Sequence, residues 1–265
     1  MRNVLVTGAS TPLGRSLLER LRVHEGIGKV VGVEPLASSD WIAGVELVAF
    51  SADHRELVAA FQRHEIDTVI HCSLAPDRSG SCSQPSEANV VDTMRLAAAV
   101  AHGDSPVRAL VVASSSAVYP VSSWSPLLHH ENGKLDTGEG SIAASVLEAE
   151  DYVRDVARRT PHVNVAILRL QQLVGENIRS PICSVLQQPI LPSVIGFDAP
   201  LQVLAIEDAV RALVYAAELE LAGVYNVASA GVLRFSEILR TMKRRALPVL
   251  PLEAGPFAGL ARAVG

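Results

Sequence analysis

Six short apolar runs, rich in β-branched residues, punctuate the first two-thirds of the chain at 3–6, 29–33, 45–50, 67–72, 107–114 and 163–170. Most show little polar alternation, which is how parallel strands covered on both faces read. Between them lie stretches of helical period. Leu13, Leu17, Leu18 and Leu21 make one apolar stripe, Leu57, Val58 and Phe61 a second, and 86–102 and 142–159 two longer helices. Such alternation implies right-handed crossovers, so the chain is expected to be α/β with a doubly wound parallel sheet. After about residue 170 proline and glycine become frequent, and the short strands "PILP", "LQVLAI" and "GVYNVA" flank one clear helix at 206–219. The expected organisation is a sheet domain at 1–170 and a smaller lobe at 171–265 that completes a cleft for a small-molecule substrate.

Composition narrows the partners. Of 265 residues, 49% are hydrophobic and 19% charged, enough for a substantial core. A net charge of -5 without any long run of lysine or arginine argues against a nucleic-acid partner. The densest basic cluster, "MKRRALP" at 242–248, reads as a solvated helix end. An aromatic content of 4% disfavours stacking platforms for single strands. Cys72, Cys82 and Cys183 have neither metal-ligand spacing nor the density of a disulfide scaffold, so no metal is expected and reduced thiols in a cytoplasm fit best. No apolar run approaches bilayer length, and residues 1–14 read as a strand and turn, so neither a membrane partner nor a signal peptide is expected. The final "GPFAGLARAVG" at 255–265 reads as a truncated or weakly closed terminus.

The stretch "TGASTPLG" at 7–14 joins the first strand to the first helix. Gly8 falls where the chain must turn sharply, and Gly14 where the helix packs closely on the strand. Thr11 and Pro12 suit an N-cap and a first helical position. The amides from Ser10 to Leu13 form a potential pyrophosphate cradle, assisted by the helix dipole, although the Cβ of Thr11 stands where a ligand approaches most closely. Two glycines in that setting point to a Rossmann fold holding a dinucleotide, the alternative being a plain βα turn. Glu34 closes the second strand, where a carboxylate accepts hydrogen bonds from ribose hydroxyls or stands as an ordinary surface glutamate. With no arginine in "EPLASSD" to meet a 2′-phosphate, NAD is favoured over NADP. Asp53, with His54 beside it, either accepts from the adenine amino group or caps a helix.

Together these segments resemble the extended short-chain dehydrogenase/reductases, the NAD-dependent epimerase/dehydratase family. "LVTGASTPLG" resembles the opening fingerprint with one glycine lost, and "ADHRELVAAF" the adenine-side turn. "DTVIHCSLA" resembles the fourth strand and "NVVDTMRL" the next crossover helix, which implies cofactor contacts at Ser73, Leu74, Ala75 and Asn89. "VVASSSAVYP", "LRLQQLVGE", "VLAIEDAV" and "GVYNVAS" resemble later landmarks, so the likeness covers about residues 2–240. The family uses a serine or threonine, a tyrosine and a lysine. The lysine ammonium and the oxidised nicotinamide lower the pKa of the phenol from about 10. The resemblance puts the serine at Ser115, which either contacts substrate or bonds backbone at the strand end. It puts the tyrosine at Ile142 and the lysine at Val146, and neither can transfer a proton. His129, His130 and Lys134 precede that helix in a loop that either swings in or stays at the surface.

Two functions follow as expectations. One is a family enzyme acting on a nucleotide sugar or related carbonyl compound through a non-standard active site. The other is a catalytically silent dinucleotide-binding sensor or partner subunit. The stretch "SPICSVLQQPILPSVIGFDAPLQ" at 180–202 offers no arginine for a diphosphate-bearing substrate, so no sugar is named. By the same resemblance, the helices at 86–102 and 142–159 are expected to pair in a homodimer.

Overall fold

The computed structural model describes residues 1–34, 42–49, 53–74, 85–120, 125–126, 128–135 and 142–249. β1 (Arg2–Thr7), α1 (Pro12–Leu21), β2 (Ile27–Glu34), β3 (Glu46–Ala49), α2 (His54–Arg63) and β4 (Thr68–His71) come first. They are followed by α3 (Pro85–Val100), β5 (Ala109–Ser115), a 3₁₀ turn (Ser116–Val118), α4 (Ile142–Arg159) and β6 (Asn164–Leu170). All six apolar runs form strands, with ends within two residues of expectation. Shorter elements then appear: β7 (Leu173–Val174), α5 (Pro181–Leu186), β8 (Leu191–Val194), β9 (Pro200–Leu201) and β10 (Leu204–Ala205). The chain continues through α6 (Ile206–Glu218), β11 (Gly223–Val227), β12 (Leu233–Arg234), α7 (Phe235–Thr241) and β13 (Ala246–Val249).

Seven strands pair in parallel in the order β11-β6-β5-β4-β1-β2-β3. Alternate side chains face opposite layers. Val4, Val6, Val111 and Ala113 pack under α1 and α6, whereas Leu5, Leu110 and Val112 pack under α2, α3 and α4. Helix α1 follows directly from its sequence. Thr11 accepts the Gly14 N–H as the N-cap, Pro12 opens the first turn, and four leucines are buried at 13, 17, 18 and 21. Burial of each such side chain contributes about 1.5–3 kcal/mol.

The segment after 170 divides between the main sheet and a smaller cluster. Helix α6 packs on α1, and β11 adds the seventh strand beside β6 because Val224 and Val227 supply apolar cover on both faces. The smaller cluster comprises Ile182, Val185, Leu191, Leu201, Phe235 and Leu239, drawn from α5, β8, β9 and α7. The basic run follows the end of α7 and is exposed as expected, and Arg244 in addition donates to the carbonyls of Leu186, Gln187 and Gln188 at the end of α5. No helix among the described residues is long and apolar enough to cross a membrane.

Candidate functional site

Strand order reverses between β1 and β4, which opens a crevice at their carboxyl ends. The glycine turn stands there. Gly8 has φ of +71°, and a Cβ on it would lie 2.9 Å from the carbonyl carbon of Cys72. A Cβ on Gly14 would lie 2.0 Å from the carbonyl oxygen of Gly8, so both positions require glycine.

Three bonds close this turn internally. The Thr11 N–H donates to Gly8 O at 3.0 Å, the Thr11 hydroxyl donates to the same oxygen at 2.7 Å, and the Gly14 N–H donates to Thr11 Oγ1 at 3.0 Å. Glu34 is only 7% exposed, and its Oε1 accepts the Ser10 N–H. The alternative of an ordinary surface glutamate is therefore set aside: the carboxylate lies against the turn. Pro12 has no N–H, leaving Leu13 as the remaining amide in the stretch from Ser10 to Leu13. The expected cradle is thus reduced, because the Ser10 and Thr11 N–H groups are already engaged.

Around the crevice the other positions divide. Asp53 accepts the Arg55 N–H at 2.8 Å as the N-cap of α2, and His54 approaches its carboxylate at 3.6 Å. Ser73 is buried and donates to Thr7 Oγ1 at 3.4 Å, while the Leu74 side chain joins the core under α2 and α3. Ala75 lies outside the described residues. Asn89 belongs to α3, with its side chain outside the described residues. Sequence reasoning missed the buried His71, whose Nδ1 lies 2.6 Å from Thr7 Oγ1 and whose Nε2 lies 2.9 Å from Thr93 Oγ1. Its signal was a histidine inside an otherwise apolar strand. Burial pushes the neighbouring Cys72 thiol up to about 12, so it stays protonated near neutral pH.

At the end of β5 three serines do different work. Ser114 donates to Glu150, Ser115 Oγ accepts the Ala117 N–H at 3.2 Å, and Ser116 donates to Gln171 Oε1. The backbone bond expected of Ser115 at the strand end is thus present. Ile142 opens α4 with its side chain outside the described residues, and Val146 is 0% exposed, sealed among Val118, Tyr119, Leu135 and Leu147. Position 146 thus faces a small apolar core.

Behind that core runs a polar network absent from the sequence reading. Arg169, 1% exposed, grips the fully buried Glu150 through Nε at 3.1 Å and Nη2 at 2.8 Å. Its Nη1 donates to Tyr119 Oη at 2.9 Å and to Glu131 O at 3.1 Å. Burial works against the guanidinium charge, yet the bonds to Glu150 and Tyr119 outweigh it and raise its pKa. Tyr119 in turn donates to Asn226 Oδ1 at 2.7 Å, and its ring stacks on His129 at 4.7 Å. The His129 carbonyl accepts from Asn226 Nδ2 at 3.0 Å. His129 is therefore tied to the sheet and not free to swing in. Burial lowers its pKa. His130 and Lys134 are exposed. Tyr119 is only 6% exposed and its hydroxyl is engaged on both sides.

Glu131 Oε1 accepts the Asn226 N–H at 2.9 Å, and this bond is the main reason its carboxyl lies below the ordinary value of 4.5. A depressed pKa stabilises the fold above the unfolded value, and that contribution is lost as pH falls through the folded value. We expect Glu131→Gln to flatten the stability decline below about pH 4.5. Thermal melts of both proteins across pH 3–7 will check this, and parallel acid limbs would refute it.

A parallel sheet with reversed order beside a two-glycine turn is a Rossmann fold. Residues 4–228 match the model of the NAD dependent epimerase/dehydratase family, and the chain belongs to that family. Uncharacterized proteins of Mycobacterium tuberculosis and Mycobacterium bovis are each 35% identical over 254 residues, 93% of this chain and 67% of theirs. Among solved structures, the UDP-Glc/GlcNAc 4-epimerase of Campylobacter jejuni is similar at a TM-score of 0.76 and 16% identity, over 94% of this chain and 87% of that one. The UDP-glucuronic acid 4-epimerase of Bacillus cereus, in complex with UDP-glucuronic acid and NAD, gives 0.70 and 20%, over 94% and 85%. The dTDP-glucose 4,6-dehydratase of Bacillus anthracis, in complex with NAD, gives 0.70 and 17%, also over 94% and 85%. At these identities the structural likeness is one of fold.

Proposed function

We propose that this protein holds NAD, in preference to NADP, in the crevice between β1 and β4, and does so without the family's usual proton transfer. The observation that carries the reading is Glu34, a nearly buried carboxylate closing β2 directly against the glycine turn. Such a group accepts from ribose hydroxyls and repels a 2′-phosphate. The turn backbone, which a Cβ at Gly8 or Gly14 would obstruct, fits the same half of the ligand. Bound NAD would supply a hydride acceptor. The chain's own polar groups near the β5 end, Ser115, Ser116 and Gln171, can orient a hydroxyl or carbonyl, but none is a general acid/base of the phenol–ammonium type.

The protein is in this reading a cytoplasmic dinucleotide-binding sensor or partner subunit. Pairing of two copies through α3 and α4, which lie side by side on one layer, belongs to the same proposal. A second reading, slow chemistry on a nucleotide sugar, draws on the family and on relatives solved with UDP-sugars. We expect millimolar NAD to raise the melting temperature and NADP to do so less. A ligand at 100 times its Kd adds about 2.7 kcal/mol. A melt unmoved by either cofactor would refute binding, and an equal or larger shift with NADP would remove Glu34 from the ribose.

A further inference from the structure

The glycine turn already contains the acceptors that a bound phosphate normally brings. Thr11 Oγ1 takes the Gly14 N–H, Gly8 O takes the Thr11 N–H, and Glu34 takes the Ser10 N–H. Pro12 has no N–H to give. Among the described residues, Leu13 alone keeps an amide without a partner between Ser10 and Gly14. The Thr11 side chain also occupies the cap itself, being 8% exposed and hydrogen-bonded in both directions. A pyrophosphate approaching α1 would meet that side chain, a single free amide and the Glu34 carboxylate, whose charge repels it. The dipole of α1 remains, but a dipole without donors is a weak grip.

We propose that this turn is self-capped, so that a nucleotide held here is gripped through its ribose diol by Glu34 and gains little from its phosphates. The ligand class favoured is thus a nucleoside or nucleoside monophosphate almost as much as a dinucleotide. This rests on the nucleotide-binding reading above and adds which part of the ligand carries affinity. Thr11 and Pro12 are the residues that set it. Their reversal is chemically simple: Thr11→Gly removes the Cβ and releases the Gly14 N–H, and Pro12→Ala supplies the missing N–H. Glycine is itself an acceptable N-cap, so the double change leaves α1 formed.

The test is calorimetric titration of the full chain with adenosine, AMP, ADP-ribose and NAD. A hydrogen bond to a charged acceptor is worth roughly ten- to a hundredfold in affinity. For the natural chain we expect Kd to fall less than about tenfold from adenosine to ADP-ribose, and for T11G/P12A by about a hundredfold or more. Binding by the variant alone, with the natural chain taking none of the four ligands, would overturn the ribose grip by Glu34 and the nucleotide-binding reading with it. A steep series already present in the natural chain would overturn the inference while leaving the nucleotide-binding reading intact. Absence of any binding by either folded protein would overturn both. Pro12→Ala alone, which keeps the Thr11 cap, gives an independent check if the double variant folds poorly. Its ADP-ribose affinity should rise severalfold over the natural chain, and no rise would count against the proposal.

Discussion

Exchange of Arg169 for methionine should cost about 3–5 kcal/mol of stability, read as a lower urea midpoint with little change in slope. Arg169 and Glu150 lie between β6 and α4 at 1% and 0% exposure, and removal of one partner strands the other charge in a medium that solvates it poorly. Tyr119 Oη and the Glu131 carbonyl lose their donor in the same step. Arg154, which also donates to Glu150 and is 29% exposed, softens the loss without replacing the planar two-point grip. The companion experiment adds Glu150→Leu. An apolar pair of similar volume needs no compensation, so the double variant should recover much of the deficit. Equal stability of the natural chain and the single variant would mean that the pair contributes nothing to the fold.

The second large effect concerns turnover. At saturating cofactor, conversion of a panel of UDP-, GDP- and dTDP-sugars, followed by chromatography of the products, should stay at background. In the proposed reading Ile142 and Val146 stand where the family has its tyrosine and lysine, and loss of a general acid/base removes about 10² to 10⁴ in rate. Grafting the ordinary residues back will not repair this. Val146 is enclosed by Val118, Tyr119, Leu135 and Leu147, so Val146→Lys would place an ammonium in an apolar pocket. The expected result is several kcal/mol of destabilisation and no gain in rate. Turnover above background in the natural chain, abolished by Ser115→Ala or by exchange of His129 and His130, would instead identify a replacement group and restore the enzymatic reading.

Local periodicity carried most of the fold. Uninterrupted apolar stretches such as 109–113 show burial on both faces, and the leucine stripe of α1 fixes which side of that helix meets the sheet. The pairing partner of a strand is another matter. "GVYNVA" looks like any short strand, and only the apolar surface presented by β6 decides that it joins the main sheet. At the site, Gly8, Gly14 and Glu34 were legible because each has a role set within one strand–turn–helix unit. The fate of the turn's donors was not, since the bond from Ser10 to Glu34 spans 24 positions. The Arg169 network was hidden for the same reason. It joins residues 50 and 107 positions apart, and no local pattern encodes such partners.

β11 ends the seven-stranded sheet, and its Asn226 N–H points to Glu131 and not to β6. The 128–135 stretch, bound to Asn226 through His129 and Glu131, therefore works as a guard rail along an open edge. Exposed edges recruit other strands, and a carboxylate already seated on a donor denies them a foothold. A chain weakened at Glu131 or Asn226 would be betrayed first by light scattering, as copies zip together along β11 before the rest of the molecule has melted.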